Sequence, residues 1–507
     1  MAQGEMKKTL GLTGVTVNAM ALIAPGAFLW LTYQVQASQV DLAGNTTAMD
    51  MFAGLFVALI LAFLTAVSYS KLAELYPDAG TGSSYYFTEQ ALLGEDKLSP
   101  FARLSKFVVG WFSHLYYWVY PGVMVAMMAT LIVYIFQQFG IDLSAFWQIV
   151  VAVLFAFMVG YIAFRGITGS TVSSVVINVI QIIALLVVTI LALVYRFTNP
   201  EHVEFVHSTL SSIVMPHSFS NVMFQATVAI LLLVGFESAT ALTAEAKSHK
   251  HVSRGVMISL VIQGLLMYLF EYFGANAWIN TAYTGKDAKG AVVTGLDAAA
   301  ASSAPLGDMV QNLGNALLGN MGFVLMITVA ITVAIAVIGT TLACYNTGVR
   351  VTYAMSKDKE MPSFLGFLHP KHATPHAGIL AMTIASAVIG AFGVLSVVNL
   401  TAITFWSNIG TFVLYGMTNV IALVAFLRHP QRNAFTHIVV PVLGTFANIA
   451  MLVAVLYLGI LGGGDTQTAA MYSIIATGVW LVIGVVYLFV QSSRTRRKII
   501  GVPVETH

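Results

Sequence analysis

A lone carboxylate, Glu237, lies in Val234-Gly235-Phe236-Glu237-Ser238-Ala239-Thr240, deep within an apolar segment. Inside a bilayer such a group costs about 2.5–3.5 kcal/mol on insertion scales, so it is retained for a partner, a proton or a solute. Its structural alternative is to accept N–H groups freed by a break in its own helix; a combined structural and gating role is expected. A second signal is Ile23-Ala24-Pro25-Gly26-Ala27-Phe28, again inside an apolar run. Pro25 removes a backbone donor and disfavours helix at Ala24, while Gly26 adds freedom, which fits a kink or a full break. His114, within Trp111-Phe112-Ser113-His114-Leu115-Tyr116-Tyr117-Trp118, reads as a packed, hydrogen-bonded histidine or as a proton relay. Glu271 is a further carboxyl within an apolar run.

The elements that position these residues follow from composition. Of the 507 residues, 58% are hydrophobic and 9% charged. That is too little charge to cover a soluble surface. The apolar excess falls into twelve runs near 11–37, 48–75, 101–138, 146–164, 170–195, 220–244, 253–278, 318–350, 377–398, 400–427, 436–461 and 468–491. About 20 apolar residues span a bilayer, and without water each run must be a helix that satisfies its own backbone. The first run is too long for a signal peptide and reads as the first span.

Charge tests the count. With a cytoplasmic N-terminus and twelve alternating spans, all Lys and Arg except Arg196, Lys286 and Lys289 fall on the cytoplasmic side. This obeys the positive-inside rule and puts both termini in the cytoplasm of a cell-membrane protein. The chain is therefore expected to be an all-α polytopic protein. The outer stretch 279–317 reads as a mobile connector or as carrying a short helix near Pro305–Gly314 over the mouth. The tail, 492–507, with Arg494-Thr495-Arg496-Arg497-Lys498, reads as a topology anchor or a contact with anionic lipid.

Several classes are excluded. A net charge of +2 with scattered Lys and Arg argues against a nucleic-acid partner. Arginine-rich spans, potassium-filter runs, H-E-x-x-H, G-x-S-x-G and paired intramembrane aspartates are missing, so neither a channel nor an enzyme is expected. The single Cys344 reads as a small buried hydrophobe. Breaks in spans one and six, the first members of two five-helix halves, point instead to a transporter binding site. A membrane nutrient sensor of the same fold is the alternative from another class.

Three stretches then resemble the amino acid–polyamine–organocation superfamily. After span two comes Ala73-Glu74-Leu75-Tyr76-Pro77-Asp78-Ala79-Gly80-Thr81-Gly82-Ser83-Ser84-Tyr85. Span six and its exit read Gly235-Phe236-Glu237-Ser238, Ala244-Glu245-Ala246-Lys247 and Arg254-Gly255. Span eight ends in Arg350-Val351-Thr352-Tyr353-Ala354-Met355-Ser356-Lys357-Asp358, then Met361-Pro362, His369-Pro370 and Thr374-Pro375. The resemblance implies a LeuT-like fold: an inverted repeat of 1–200 and 215–430, spans eleven and twelve at 436–491, and alternating access.

It also implies substrate contacts at Ile23, Ala24, Pro25, Gly26 and Ala27 and at Leu231, Val234, Gly235 and Phe236; the candidates for coupling or gating are Glu237, His114 and Gln181, although a glutamine cannot titrate. A cytoplasmic gate is expected from Glu74, Glu245 and Arg350, with Asp78, Lys357, Asp358 and Lys371 as further pairing candidates. The substrate is expected to be an amino acid, or alternatively a polyamine or other organic amine. No cofactor or metal is expected beyond a coupling proton or sodium ion. Two departures matter. The family's donor-rich G-x-G stretch is Pro25-Gly26-Ala27 here, which resembles some putrescine importers, and Gln181 stands where proton-coupled members place a lysine.

Overall fold

The computed structural model describes residues 10–23, 25–77, 83–93, 99–166, 171–199, 216–243, 245–270, 283–287, 289–369, 374–427 and 429–495. Among them, twelve helices are long and apolar enough to cross a membrane: Leu12–Ala37, Ala48–Leu75, Pro100–Gln138, Ala145–Phe164, Val175–Thr198, Phe219–Leu242, His249–Leu269, Gly322–Lys357, His376–Gly393, Val397–Leu427, Phe435–Leu461 and Gly464–Ser493. These are spans one to twelve. The chain is an all-α polytopic membrane protein, with the number and order of spans that the apolar runs predict.

Burial sorts the spans. In their apolar windows spans three and six are each 78% buried, whereas span twelve is 11% buried. Three and six therefore belong to the interior, and twelve lies at the periphery with its apolar face outward. Span three is the hub, packing against spans eight, nine and ten. Its 39 residues extend about 58 Å at 1.5 Å per residue, nearly twice the hydrocarbon thickness. One end therefore carries Lys106 beyond the bilayer core toward the lysine- and arginine-rich face, here termed the basic face. Ser99 starts this helix by accepting the Ala102 N–H, with Pro100 in the first turn, where its missing N–H is harmless.

Span one packs against spans five, seven and eight and against the second half of span six. On the face opposite the basic one, the stretch before span eight is structured. A two-stranded hairpin, β1 (Thr284–Lys286) with β2 (Val292–Thr294), leads into a short helix, Gly295–Ala301, and a cap helix, Pro305–Leu317. Of the two readings, the short helix near Pro305–Gly314 is present, as part of a folded cap. Its hairpin went unread because three-residue strands are too short to show a period. Glu271 lies outside the described residues.

Candidate functional site

Both expected breaks are present, and they meet. Helix Leu12–Ile23 stops and a second helix, Pro25–Ala37, begins, with Ala24 outside the described residues. An α-helical residue 25 would donate to the Ala21 carbonyl, and Pro25 cannot. Thr340 of span eight supplies the missing donor, its hydroxyl 2.9 Å from that oxygen. In span six, helix Phe219–Ala229 tightens into a 3-10 turn at Ile230–Leu232 and resumes as 3-10 helix at Phe236–Leu242. Between them Gly235 has φ +121°, a conformation that L side chains rarely adopt. A Cβ on Gly235 would lie 2.7 Å from Ile23 Cγ1 and 3.2 Å from the Ile23 nitrogen. The two breaks thus touch through a glycine that only its missing side chain allows. Asn408 of span ten donates to the Thr227 carbonyl at 2.7 Å, steadying the approach to the second break.

Glu237 is fully buried. One carboxylate oxygen accepts the Gly235 N–H at 2.9 Å and the Tyr415 hydroxyl at 2.7 Å, and the other accepts Tyr116 at 3.1 Å. The residue therefore ties the break to spans three and ten. Phe236 packs its ring 5.3 Å from Tyr415 and 6.1 Å from Tyr69. Phe28 packs 5.3 Å from Tyr120, and Tyr120 5.4 Å from Tyr116. Ile23, Ala27, Leu231 and Val234 are buried around the same breaks. The result is a closely packed apolar and aromatic cluster around the breaks, with phenol groups and the Glu237 carboxylate.

Gly26 turns its open side to span five, 3.7 Å from Leu185 and 4.0 Å from Gln181 Oε1 as measured from an added Cβ. Gln181 is buried, and that oxygen has no hydrogen-bond donor among the described residues. His114 is placed elsewhere. Its ring nitrogens meet the Gly110 carbonyl at 2.8 Å and Thr352 at 2.9 Å, and its ring meets Trp118. A neutral ring protonated at Nδ1, with the Thr352 hydroxyl donating to Nε2, satisfies both nitrogens. These contacts join span three to span eight and include neither break, as a packed, hydrogen-bonded histidine would.

On the basic face Arg350 pairs with Glu245 at 3.0 Å and donates to the Ala241 carbonyl at 3.3 Å, closing over the end of span six. Glu74 does not join them. It pairs with Lys71 at 2.9 Å and accepts from Ser253 at 2.7 Å, so the expected trio divides into two clusters. Asp358 also takes a partner the motifs did not suggest. Lys106 sits 2.6 Å from both Asp358 and Glu89 and lies over the Tyr85 ring. Lys357 instead lies over Tyr353, and Asp78 and Lys371 fall outside the described residues. The signal for Lys106 was available, since a lysine just inside the start of a long span must find anions. Its partners were not, because Glu89 belongs to a separate short helix and Asp358 lies 252 residues away.

Glu360 completes this cluster. It is buried, and its carboxyl is pushed up to about 8, first by burial and further by Asp358, with Lys106 drawing it back down. Tyr85 Oη lies 3.0 Å from Glu360 and 2.7 Å from Asp358 but has one proton to give. A neutral Glu360 donating to Tyr85, which donates to Asp358, satisfies all three. The folded state then binds more protons than the unfolded one between about pH 4.5 and pH 8. Stability from Glu360 is therefore full below that window and lost as pH rises through about 8. The apparent melting temperature of wild type in detergent should fall by a few degrees from about pH 6 to about pH 9, and Glu360→Gln should flatten that fall. Parallel curves for the two proteins would refute the assignment.

Twelve apolar helices around two facing breaks define a membrane transporter. The chain belongs to the amino acid permease family, which matches it over residues 8–481. Relatives similar along most of the length include a low-affinity putrescine importer, PlaP, of Escherichia coli (strain K12). It is 25% identical over 493 residues, covering 96% of this chain and 93% of the relative. A branched-chain amino acid permease, BcaP, of Bacillus subtilis (strain 168) is 24% identical over 519 residues, covering 96% and 94%. A methylthioribose transporter of the same Bacillus strain is 22% identical over 416 residues, covering 78% of each chain.

Proposed function

We propose that the protein moves a zwitterionic amino acid with a small apolar side chain across the cell membrane by alternating access, driven by an ion gradient or by exchange, and performs no covalent chemistry. The observation that carries this is the state of Glu237. Both of its oxygens already accept hydrogen bonds from Gly235, Tyr116 and Tyr415. A carboxylate committed to a helix break is poorly placed to neutralise a dication, and the surrounding walls are apolar or aromatic. Gly26 and Ala27 keep backbone N–H groups at the start of the second half of span one, where a helix dipole favours a substrate carboxylate. The halves 1–200 and 215–430 serve in this reading as an inverted repeat rocking about the breaks. The basic face, with both termini, faces the cytoplasm.

An organic-amine substrate is the second reading. It is favoured by Pro25, which removes one of the donors a carboxylate would use, and by the full-length similarity to a putrescine importer. Proteoliposome uptake of labelled apolar amino acids and of putrescine, with and without proton or sodium gradients, separates the two. Uptake or exchange of apolar amino acids supports the first reading, and uptake of putrescine alone overturns it. Orientation has its own test: with Cys344 replaced by alanine, a cysteine placed at Lys359 should resist an impermeant maleimide in intact cells. Labelling there would reverse the proposed topology.

A further inference from the structure

The cap helix Pro305–Leu317 separates two cavities. On its inner side Leu306 and Val310, with Gly26 and Gln181, line a space of about 20 Å³ beside the broken span one. On its outer side Asp308 helps line a pocket of about 300 Å³, walled by the end of span three, the hairpin and helix Gly295–Ala301. That volume lies at the lower end of the range for small-ligand sites. The cap is seated closely, because a Cβ on Gly307 would fall 2.7 Å from Tyr134 and 2.8 Å from Trp30, which belongs to the second half of span one. A solute in the outer pocket is therefore one helix thickness, about 10 Å, from the break.

The outer pocket is polar and carries both signs of charge. Asp308 is largely buried and accepts from Ser302 at 2.6 Å, Tyr134 at 2.9 Å and Tyr283 at 3.0 Å. Burial holds its carboxyl above the usual range, and the three hydroxyls pull it back down. Unlike Glu237, which is fully buried and holds a backbone N–H, Asp308 lines a pocket and its donors among the described residues are neutral hydroxyls that can turn aside, so a cation from the pocket can still reach it. Lys286, at the end of β1, lines the same pocket and is exposed to solvent. The floor thus offers an anion and the rim a cation.

We propose that this outer pocket is a second binding site, taking the ammonium group of an α-amino acid at Asp308 and its carboxylate at Lys286 before the cap opens. This rests on the amino acid reading above and names a place where the solute waits outside the two breaks. A purely structural role for Asp308, tying the cap to span three, requires neither the pocket nor Lys286.

The test uses the full-length protein in proteoliposomes, with the labelled amino acid that wild type takes up best. Lys286→Gln removes the rim cation, and Ala301→Trp fills the pocket without touching the Asp308 hydrogen bonds. Each should raise KM about fivefold, the weight of an exposed ion pair, and leave maximal uptake within about twofold. Equilibrium binding of the same amino acid to purified protein should fall from two sites to one in Ala301→Trp. Unchanged KM in both variants overturns the proposal, and so does a single site in wild type or a loss confined to maximal uptake. If wild type carries no amino acid at all, the functional reading fails first, and the second site falls with it.

Discussion

Glu237→Gln protein should insert and fold, yet take up substrate at least about tenfold more slowly, a barrier increase of ~1.4 kcal/mol. Three donors converge on Glu237: a backbone N–H from Gly235 and hydroxyls from Tyr415 and Tyr116. The hydroxyls can rotate and the N–H cannot. An amide would turn its oxygen toward Gly235 and Tyr415 and its NH2 toward Tyr116, whose hydroxyl can then accept. Hydrogen bonding survives, so the fold should hold. The carboxylate and its response to protons are lost, so any gating or coupling role shows in the rate. Glu237→Ala is different, because it strands three buried donors at about 1–3 kcal/mol each. Its expected result is loss of folded protein in the membrane. Initial uptake per unit of reconstituted protein, measured across pH, decides the matter. Wild-type rates and pH dependence in Glu237→Gln would reduce the residue to a brace.

Gly235→Ala should be at least as damaging. Holding a residue with a side chain at φ +121° costs about 1–3 kcal/mol by itself. The new methyl would also press on Ile23 at 2.7 Å, at the facing break. The two halves of the site can be relieved only by moving apart, which opens the contact between the breaks. We expect uptake below about a tenth of wild type and a melting temperature lowered by several degrees. Combining it with Ile23→Ala removes the steric contact but not the backbone strain, so rescue should be partial. Full activity in Gly235→Ala alone would mean that the break is not held in this conformation.

The pairings on the basic face show where motif reading stops. Arg350 and Glu245 belong to two separate stretches that carry the family resemblance, and they do form an ion pair. At roughly a quarter exposure on each side, it contributes under about 1 kcal/mol. Glu74 was grouped with them on charge and motif alone, but its neighbours are Lys71 and Ser253. Lys106 is 3% exposed and lies between two part-buried carboxylates, so losing it leaves two neighbouring anions uncompensated. No spacing in the chain announces that cluster, because Glu89, Lys106, Asp358 and Glu360 come from three separate segments.

What the amino-acid sequence determined by itself is one-dimensional. Span number and order follow from apolar length, since a helix in lipid must close its own hydrogen bonds. The break at Pro25 follows from a missing donor, and the break at Gly235 from glycine's freedom beside an intramembrane carboxylate. Each of these effects acts within a few residues, so sequence order is enough to read it. Tertiary structure alone decided that the breaks touch, that Thr340 answers Ala21, that Tyr116 and Tyr415 take Glu237, and that His114 is joined to Thr352 instead. It also set the short helix expected near Pro305–Gly314 beside a hairpin and the end of span three, around a charged pocket. Those outcomes depend on which helix faces meet at 3–6 Å, as the distances above show, and local pattern carries no record of them.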